Sequence, residues 1–594
     1  MTNSNNQRPL FYFIAALLPI ALFVFLEIGL RLSGFGQTIP LFVQSDQFPD
    51  YLQPNPRIIE RYFSSSELAP NVSPDTVYFQ TNKQDDVFRI VIQGGSSAAG
   101  FPFGRFGSLQ GMLEQRFKRT YPNQKIEIIN TAMAAVNSYT LLDFADEIIA
   151  IKPDLILVYT GHNEYLGILG VGSAYASKGG RAATLAYLLV KDLAIFQAAQ
   201  TLYLSFKKDD SVEVSSTSTL ENKRSLMSKV AKGKEVQFGS EKFEQGLQQF
   251  EGNLSALITK YQQANIPVML GNLVSIEKGL VPFSAVNKAT ESSLQQDSAG
   301  EKYNAAELAY EQHQFSLARN LYKQARDYDS LRFRAPSQFN LIIEDLAQKQ
   351  GVFLVDVESK IYQETPDKLI GKKHLLEHVH PTARGYFLMA EAFYEKISVS
   401  NLIGPPQVDF PADRAWQEIP ITTLDKKWAQ LKIERLTSDY PFPPSFESPL
   451  VAEFDTDTFT DDLTKARLAG ESWLTLQQQL IQNYASKNDF RNAALVAGII
   501  SDALPMSAIA ANNAAKYHRL DHNYDLSVYY QTKAIELDLD NSNYLLNQAH
   551  TLFLKKNYST SLSLIDKAEQ LGADKSKVNF FRNKVQQASN EGSR

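Results

Sequence analysis

Ser96 follows two glycines, His380 precedes a proline, and Glu377 stands three residues before that histidine. A serine hydroxyl is a weak nucleophile at neutral pH unless an imidazole accepts its proton, and a carboxylate can orient that imidazole. The alkoxide formed when serine attacks an acyl carbon needs preorganised donors, commonly backbone N–H groups and an amide side chain. Residues of these types occur in four short stretches: Gly94-Gly95-Ser96-Ser97, Asn130-Thr131-Ala132-Met133, Gly161-His162-Asn163-Glu164 and Glu377-His378-Val379-His380-Pro381. Each stretch alone has an ordinary reading. Gly-Gly-Ser-Ser suits any tight turn, His-Pro suits a helix start, and Asn163 suits a cap or turn. Ser97 is a rival nucleophile, one residue further along.

The elements around these stretches restrict where they lie. Apolar runs at Phe88–Ile92, Ile126–Ile129, Leu155–Tyr159, Ile266–Gly271 and Val352–Asp356 read as strands. Helical patterns alternate with them, including Leu109–Thr120, Thr140–Ile149 and Phe339–Gln350. Short, nearly continuous apolar strands between helices argue for a parallel sheet covered on both faces. Ligands of such sheets bind outside the carboxyl ends of the strands. Three of the four stretches fall there.

Taken in order, the four stretches resemble the blocks of the SGNH (GDSL-like) hydrolase superfamily over roughly residues 85–400. The resemblance implies a flavodoxin-like three-layer α/β domain with a parallel sheet. It makes Ser96 the nucleophile, His380 the general base and Glu377 the orienting acid. The oxyanion donors it implies are the N–H of Ser96, the N–H of Ala132 and the side chain of Asn163; His162 and His378 become shaping residues. The family's Gly-Asp-Ser is Gly-Gly-Ser here, its second-block glycine is Ala132, and its acid is Glu rather than Asp. A donor at Ala132 requires a negative φ there. The activity implied is that of a serine esterase removing small acyl groups from envelope or exported carbohydrate. Two alternatives stay open: an O-acyltransferase acting on a polysaccharide, and a non-catalytic scaffold that recruits partners through its repeats.

At 594 residues the chain exceeds one domain. A formal charge of −6 offers no electrostatic footprint for nucleic acid, and the absence of cysteine excludes disulfides and thiolate chemistry. The eight histidines show no metal-ligand spacing, so neither metal nor other cofactor is expected. Leu10–Leu26 is uncharged, and the apolar character continues to Leu32 around Glu27 and Arg31. Residues 10–32 therefore read as an uncleaved transmembrane anchor, longer than a signal-peptide core and without an Ala-x-Ala-like cleavage site. The expected location is the cell inner membrane, single-pass, with the catalytic domain in the periplasm.

Residues 33–85 read as irregular. Two insertions interrupt the catalytic region. The first, about 182–240, opens with an apolar helix over Ala182–Phe206, followed by a polar stretch, Lys207–Lys234, that reads as a mobile loop. The second, about 300–330, matches one tetratricopeptide-type helical hairpin over the active-site rim through Ala306, Phe315, Ala318, Tyr322 and Ala325. Eight prolines in Gly404–Pro449 mark residues 401–470 as a linker. Beyond it, Asp489-Phe490, Asn523-Tyr524 and Asn557-Tyr558 recur at a spacing of 34 residues, as do Ala515 and Ala549, Ser527 and Ser561, and Ala534 and Ala568. That period is the tetratricopeptide one, so residues 471–587 read as an all-α repeat domain that binds a protein partner.

Overall fold

The computed structural model describes residues 8–64, 66–172, 179–206, 234–286, 298–443, 446 and 458–592. Five strands form a parallel sheet: β4 (Val87–Gly94), β5 (Lys125–Asn130), β6 (Leu155–Tyr159), β7 (Val268–Gly271) and β8 (Phe353–Val355). Their order is β5-β4-β6-β7-β8, which is the flavodoxin-like doubly wound order. The apolar runs are strands because both faces are covered: Ile90, Val91 and Ile92 are fully buried, as are Leu155, Ile156 and Leu157. Strand pairing sets Gly94 beside Tyr159, so β4 and β6 end level with one another.

A 25-residue helix, α1 (Arg8–Leu32), precedes everything else. Its segment Phe11–Leu32 is long and apolar enough to cross a membrane and is unburied by the rest of the chain. Residues 33–85, expected to be irregular, include an antiparallel sheet of β1 (Phe42–Gln44), β2 (Tyr51–Pro54) and β3 (Phe79–Gln80). The helices of the α/β region are α2 (Ser96–Ala99), α3 (Leu109–Thr120), α4 (Ser138–Ala150), α5 (Gly180–Val190), α6 (Ala194–Phe206), α7 (Glu241–Gln263), α8 (Phe283–Val286), α9 (Ala299–Glu311), α10 (Phe315–Tyr328), α11 (Ser337–Gln350), α12 (Val357–Tyr362) and α13 (Ala383–Ser400). α3 packs with α13, while α4 packs with α7 and α7 with α11, giving helical layers on the sheet.

Two further readings change. The apolar stretch Ala182–Phe206 is not one helix: α5 and α6 meet at a bend of 113°. At the break the buried Lys191 ammonium pairs with Asp192 at 2.7 Å and with Asp143 of α4 at 3.4 Å. The polar stretch Lys207–Lys234 lies outside the described residues except for its last residue. The span 401–470, expected as a linker, folds in good part as α14 (Ala412–Trp416), α15 (Thr423–Thr437) and α16 (Thr458–Leu468). Pro411 caps α14. Phe410, Ile421, Ile433 and Phe442 join the main core.

The C-terminal region is entirely helical: α17 (Trp473–Ser486), α18 (Phe490–Ala503), α19 (Ala508–Leu520), α20 (Tyr524–Leu537), α21 (Ser542–Leu554), α22 (Tyr558–Gln570) and α23 (Lys575–Gly592). The 34-residue spacing has a bonded counterpart. Ser527 Oγ donates to the Ala515 carbonyl at 2.9 Å, and Ser561 Oγ to the Ala549 carbonyl at 2.8 Å. Asn488, His522 and Lys556 all adopt a left-handed φ, just before Asp489, Asn523 and Asn557 cap the next helix. Ala534 and Ala568 are fully buried between helices.

Candidate active site

β4 ends at Gly94, and the chain turns through Gly95 into α2, with Ser96 as its first residue. Any side chain at Gly94 would meet the Tyr159 carbonyl at 2.2 Å, so the turn requires glycine. The N–H groups of Ala98 and Ala99 both donate to the Gly95 carbonyl at 3.0 Å and close this short turn. Ser96 Oγ lies 2.7 Å from His380 Nε2. Ser97, the rival, is buried and donates its hydroxyl to the Val379 carbonyl at 3.1 Å. It is turned away from the imidazole.

Glu377 is fully buried and divides its carboxylate between two rings. Oε1 contacts His380 Nδ1 and accepts the His380 N–H at 3.1 Å; Oε2 contacts His378 Nδ1 and accepts the His378 N–H at 2.6 Å. The backbone of residues 377–380 is thus wrapped around its own acid. Ile276, beyond β7, donates its N–H to the His378 carbonyl at 3.0 Å and ties this segment to the sheet. The His378 ring stands at 90° to that of His380 and is walled by Phe283, Phe333 and Phe442. Phe101 packs on His380 at 4.7 Å.

Burial pushes the His380 imidazole down to about 3. The ring is neutral at neutral pH, with Nδ1–H facing the carboxylate and Nε2 available to take the Ser96 proton. Burial likewise holds His162 down to about 3, with His380 and Arg326 nearby adding to the effect. His162 accepts the Ala335 N–H at Nδ1, at 3.3 Å, and packs on Tyr159. It makes a wall of the site.

Gly161 adopts φ +150° where a Cβ would meet Leu273 at 2.4 Å, and this turn delivers His162 and Asn163 from the end of β6. The Asn163 amide nitrogen lies over Gly95, 3.2 Å from where a Cβ on that glycine would stand. Glu164 fixes the loop: its carboxylate accepts Ser138 Oγ at 2.6 Å and the Ser138 N–H at 3.0 Å at the start of α4, and takes Gln249 as a further donor. A carboxylate at a helix N-terminus is favourably placed. Nothing in the spacing of the sequence signalled this brace; the residue sits in the quoted stretch, but its partners lie on other helices.

Ala132 does not have a positive φ. Its N–H, however, donates to Asn130 Oδ1 at 2.9 Å, while Asn130 Nδ2 donates to the Ala98 carbonyl of α2 at 3.0 Å. Asn130 thereby staples the second stretch to the nucleophile turn, a role the sequence did not reveal. An oxyanion would have to share this N–H with Asn130. Ser96, Ala132, Asn163, Glu377 and His380 are all brought to the carboxyl end of the sheet. Glu377, His378 and His380 also set ligand-type atoms within 4.8 Å of one another. A cation there would compete with Glu377 for Nδ1 of His380.

No protein-family model and no curated protein matches the sequence. Among solved structures, the chain is similar to an acetylxylan esterase from Geobacillus stearothermophilus, with 14% identity, 52% of this chain and 94% of that one covered, and a TM-score of 0.28. A GDSL-like lipase from Bacteroides thetaiotaomicron matches with 14% identity, coverage of 52% and 88%, and a TM-score of 0.26. The yeast Sti1 TPR2AB domain in complex with pHSP90 matches with 13% identity, coverage of 48% and 98%, and a TM-score of 0.18. Such identities and scores say nothing of activity.

Proposed function

We propose that this chain is a serine ester hydrolase of the SGNH type, with Ser96, His380 and Glu377 as its catalytic unit. The observation that carries the reading is the 2.7 Å approach of Ser96 Oγ to His380 Nε2 while Glu377 faces Nδ1 of the same ring. His380 takes the Ser96 proton as Oγ adds to the ester carbonyl, and the Ser96 N–H and the Asn163 amide receive the developing oxyanion. The Ala132 N–H contributes by sharing with Asn130. His380 then gives its proton to the departing alcohol. Water, deprotonated by His380, attacks the acyl-serine, and the acid leaves as Ser96 recovers its proton.

Small acyl groups on envelope or exported carbohydrate are the substrate class, which follows from the family resemblance together with α1 as an inner-membrane anchor that leaves the catalytic domain in the periplasm. The repeats are the surface for a protein partner. Labelling by a fluorophosphonate probe tests the reading: the wild-type chain should label and Ser96→Ala should not. Labelling that persists in Ser96→Ala and vanishes in Ser97→Ala would transfer the role.

A further inference from the structure

α6 begins against the end of α1. Glu27 of α1 accepts the N–H groups of Ala194 and Ile195, both at 2.9 Å, one on each carboxylate oxygen. Arg31 pairs with Glu27 at 2.8 Å and donates to the Asp192 carbonyl at 2.7 Å. The backbone of Gln37 exchanges two hydrogen bonds of 2.9 Å with the Gln197 amide. The charged residues Glu27, Arg31, Lys191 and Asp192 thus gather at one level, where an anchor helix would leave the lipid. From that level α6 runs without a charged residue through Phe206, after which the sequence reads Lys207-Lys208. At its far end, Leu202 is 58% and Phe206 79% exposed. In α1, Phe25 is 73% exposed.

Large apolar side chains facing outward beside an equally apolar anchor need a cover, and a bilayer next to the anchor is the one at hand. An uncharged helix followed in sequence by two lysines suits the headgroup boundary, where apolar residues enter the acyl region and cations meet anionic lipid. We propose that α6 is a second bilayer contact, tied at its first turn to the exit of α1 and carrying Leu202 and Phe206 into lipid. This rests on α1 being a membrane-spanning helix.

The chain has no cysteine, so single spin labels are unambiguous. Full-length Leu202→Cys, Phe206→Cys, Phe25→Cys and Phe580→Cys proteins, reconstituted in phosphatidylcholine–phosphatidylglycerol vesicles, are compared for collision with oxygen and with a water-soluble nickel chelate. Phe580 is on the outer surface of α23 and reports an aqueous position. Labels at 202 and 206 should match the one at 25, with oxygen favoured over nickel several-fold relative to 580. Labels at 202 and 206 that match 580 while 25 is in lipid overturn the proposal and leave the anchor intact. A label at 25 that matches 580 overturns both.

Discussion

Ser527 Oγ reaches a carbonyl twelve residues back, and Ser561 repeats the contact one period later; Ser96 Oγ and His380 Nε2 meet across 284 residues. The repeats are built from near neighbours, each hairpin closed by its own turn and cap. The inserted hairpin α9–α10 uses the same turn, with His313 at φ 58° against 59° for His522. It buries Ala306, Ala318 and Tyr322 with Leu369 instead of with another hairpin. The site, in contrast, has no local unit. It exists only when strand ends from three βα turns and the segment after α12 arrive together. Local construction repeats one contact at each period, whereas distant construction makes the site depend on a few atoms from separate elements.

The two regions nonetheless touch. Lys118 of α3 pairs with Asp502 at the end of α18 with little exposure of either side chain. Arg119 donates to Asn523 at 3.1 Å, and Phe106, five residues beyond Phe101, stacks on Trp473 at 6.0 Å. The repeats therefore dock on α3, the helix beyond α2.

The largest effect should come from the distant contact. Ser96→Ala is expected to lower p-nitrophenyl acetate turnover by about 10⁶-fold, the size found when the nucleophile of a serine hydrolase is removed, with unchanged melting. Ser97→Ala should stay within about tenfold, because it loses only one hydrogen bond of about 1 kcal/mol. Equal losses would mean that the turn, not the hydroxyl, is at stake.

Next, Glu377→Gln should cost about 10⁴-fold in kcat, since an amide no longer specifies the His380 tautomer. Combined with His380→Ala it should add almost nothing to the single His380→Ala loss, as members of one catalytic unit are non-additive. Additive losses would place Glu377 outside the unit.

The contact between the regions comes third. Asp502→Ala leaves the Lys118 ammonium buried without its acid and should destabilise the full chain by about 3–5 kcal/mol in denaturant melts. Lys118→Met with Asp502→Leu should recover most of it. If Asp502→Ala melts like wild type, the docking is not a stable part of the fold.

Acid should act on both regions with the same sign. Burial holds His162 and His380 near the site, and His518 in the repeats, down to about 3. Unfolded histidines bind a proton near pH 6.5, so the unfolded chain gains protons first as pH falls. Stability from these groups is complete above about pH 6.5 and declines from there toward pH 3. Turnover, which needs neutral His380, should hold below pH 6 until unfolding intervenes. A kcat/KM profile that halves near pH 6.5 while the protein stays folded would show that His380 titrates as an exposed imidazole.

Much of this was legible in residue order. Five apolar runs became five strands in the expected doubly wound arrangement because each is long enough to span a sheet and too short for a helix covered on one side. The 34-residue period became helical hairpins because caps and small crossing residues act within a repeat. Legibility failed where a partner is remote. Ala182–Phe206 breaks at Lys191, whose ammonium reaches Asp143 on another helix, and the proline-rich span packs Ile421, Ile433 and Phe442 into the core.

By itself the sequence determined the types of the candidate site residues, their place at strand ends, the apolar α1 and the repeat period, all of which rest on spacing and local propensity. The tertiary structure alone set the Ser96 hydroxyl against Nε2 of His380 and the Ser97 hydroxyl against the Val379 carbonyl. It also divided Glu377 between two imidazoles, occupied the Ala132 N–H with Asn130 and braced Asn163 through Glu164 and Ser138. These are questions of angle and of ångströms between atoms from separate elements. Hydrogen bonds and proton transfer depend steeply on both, and one-dimensional order carries neither.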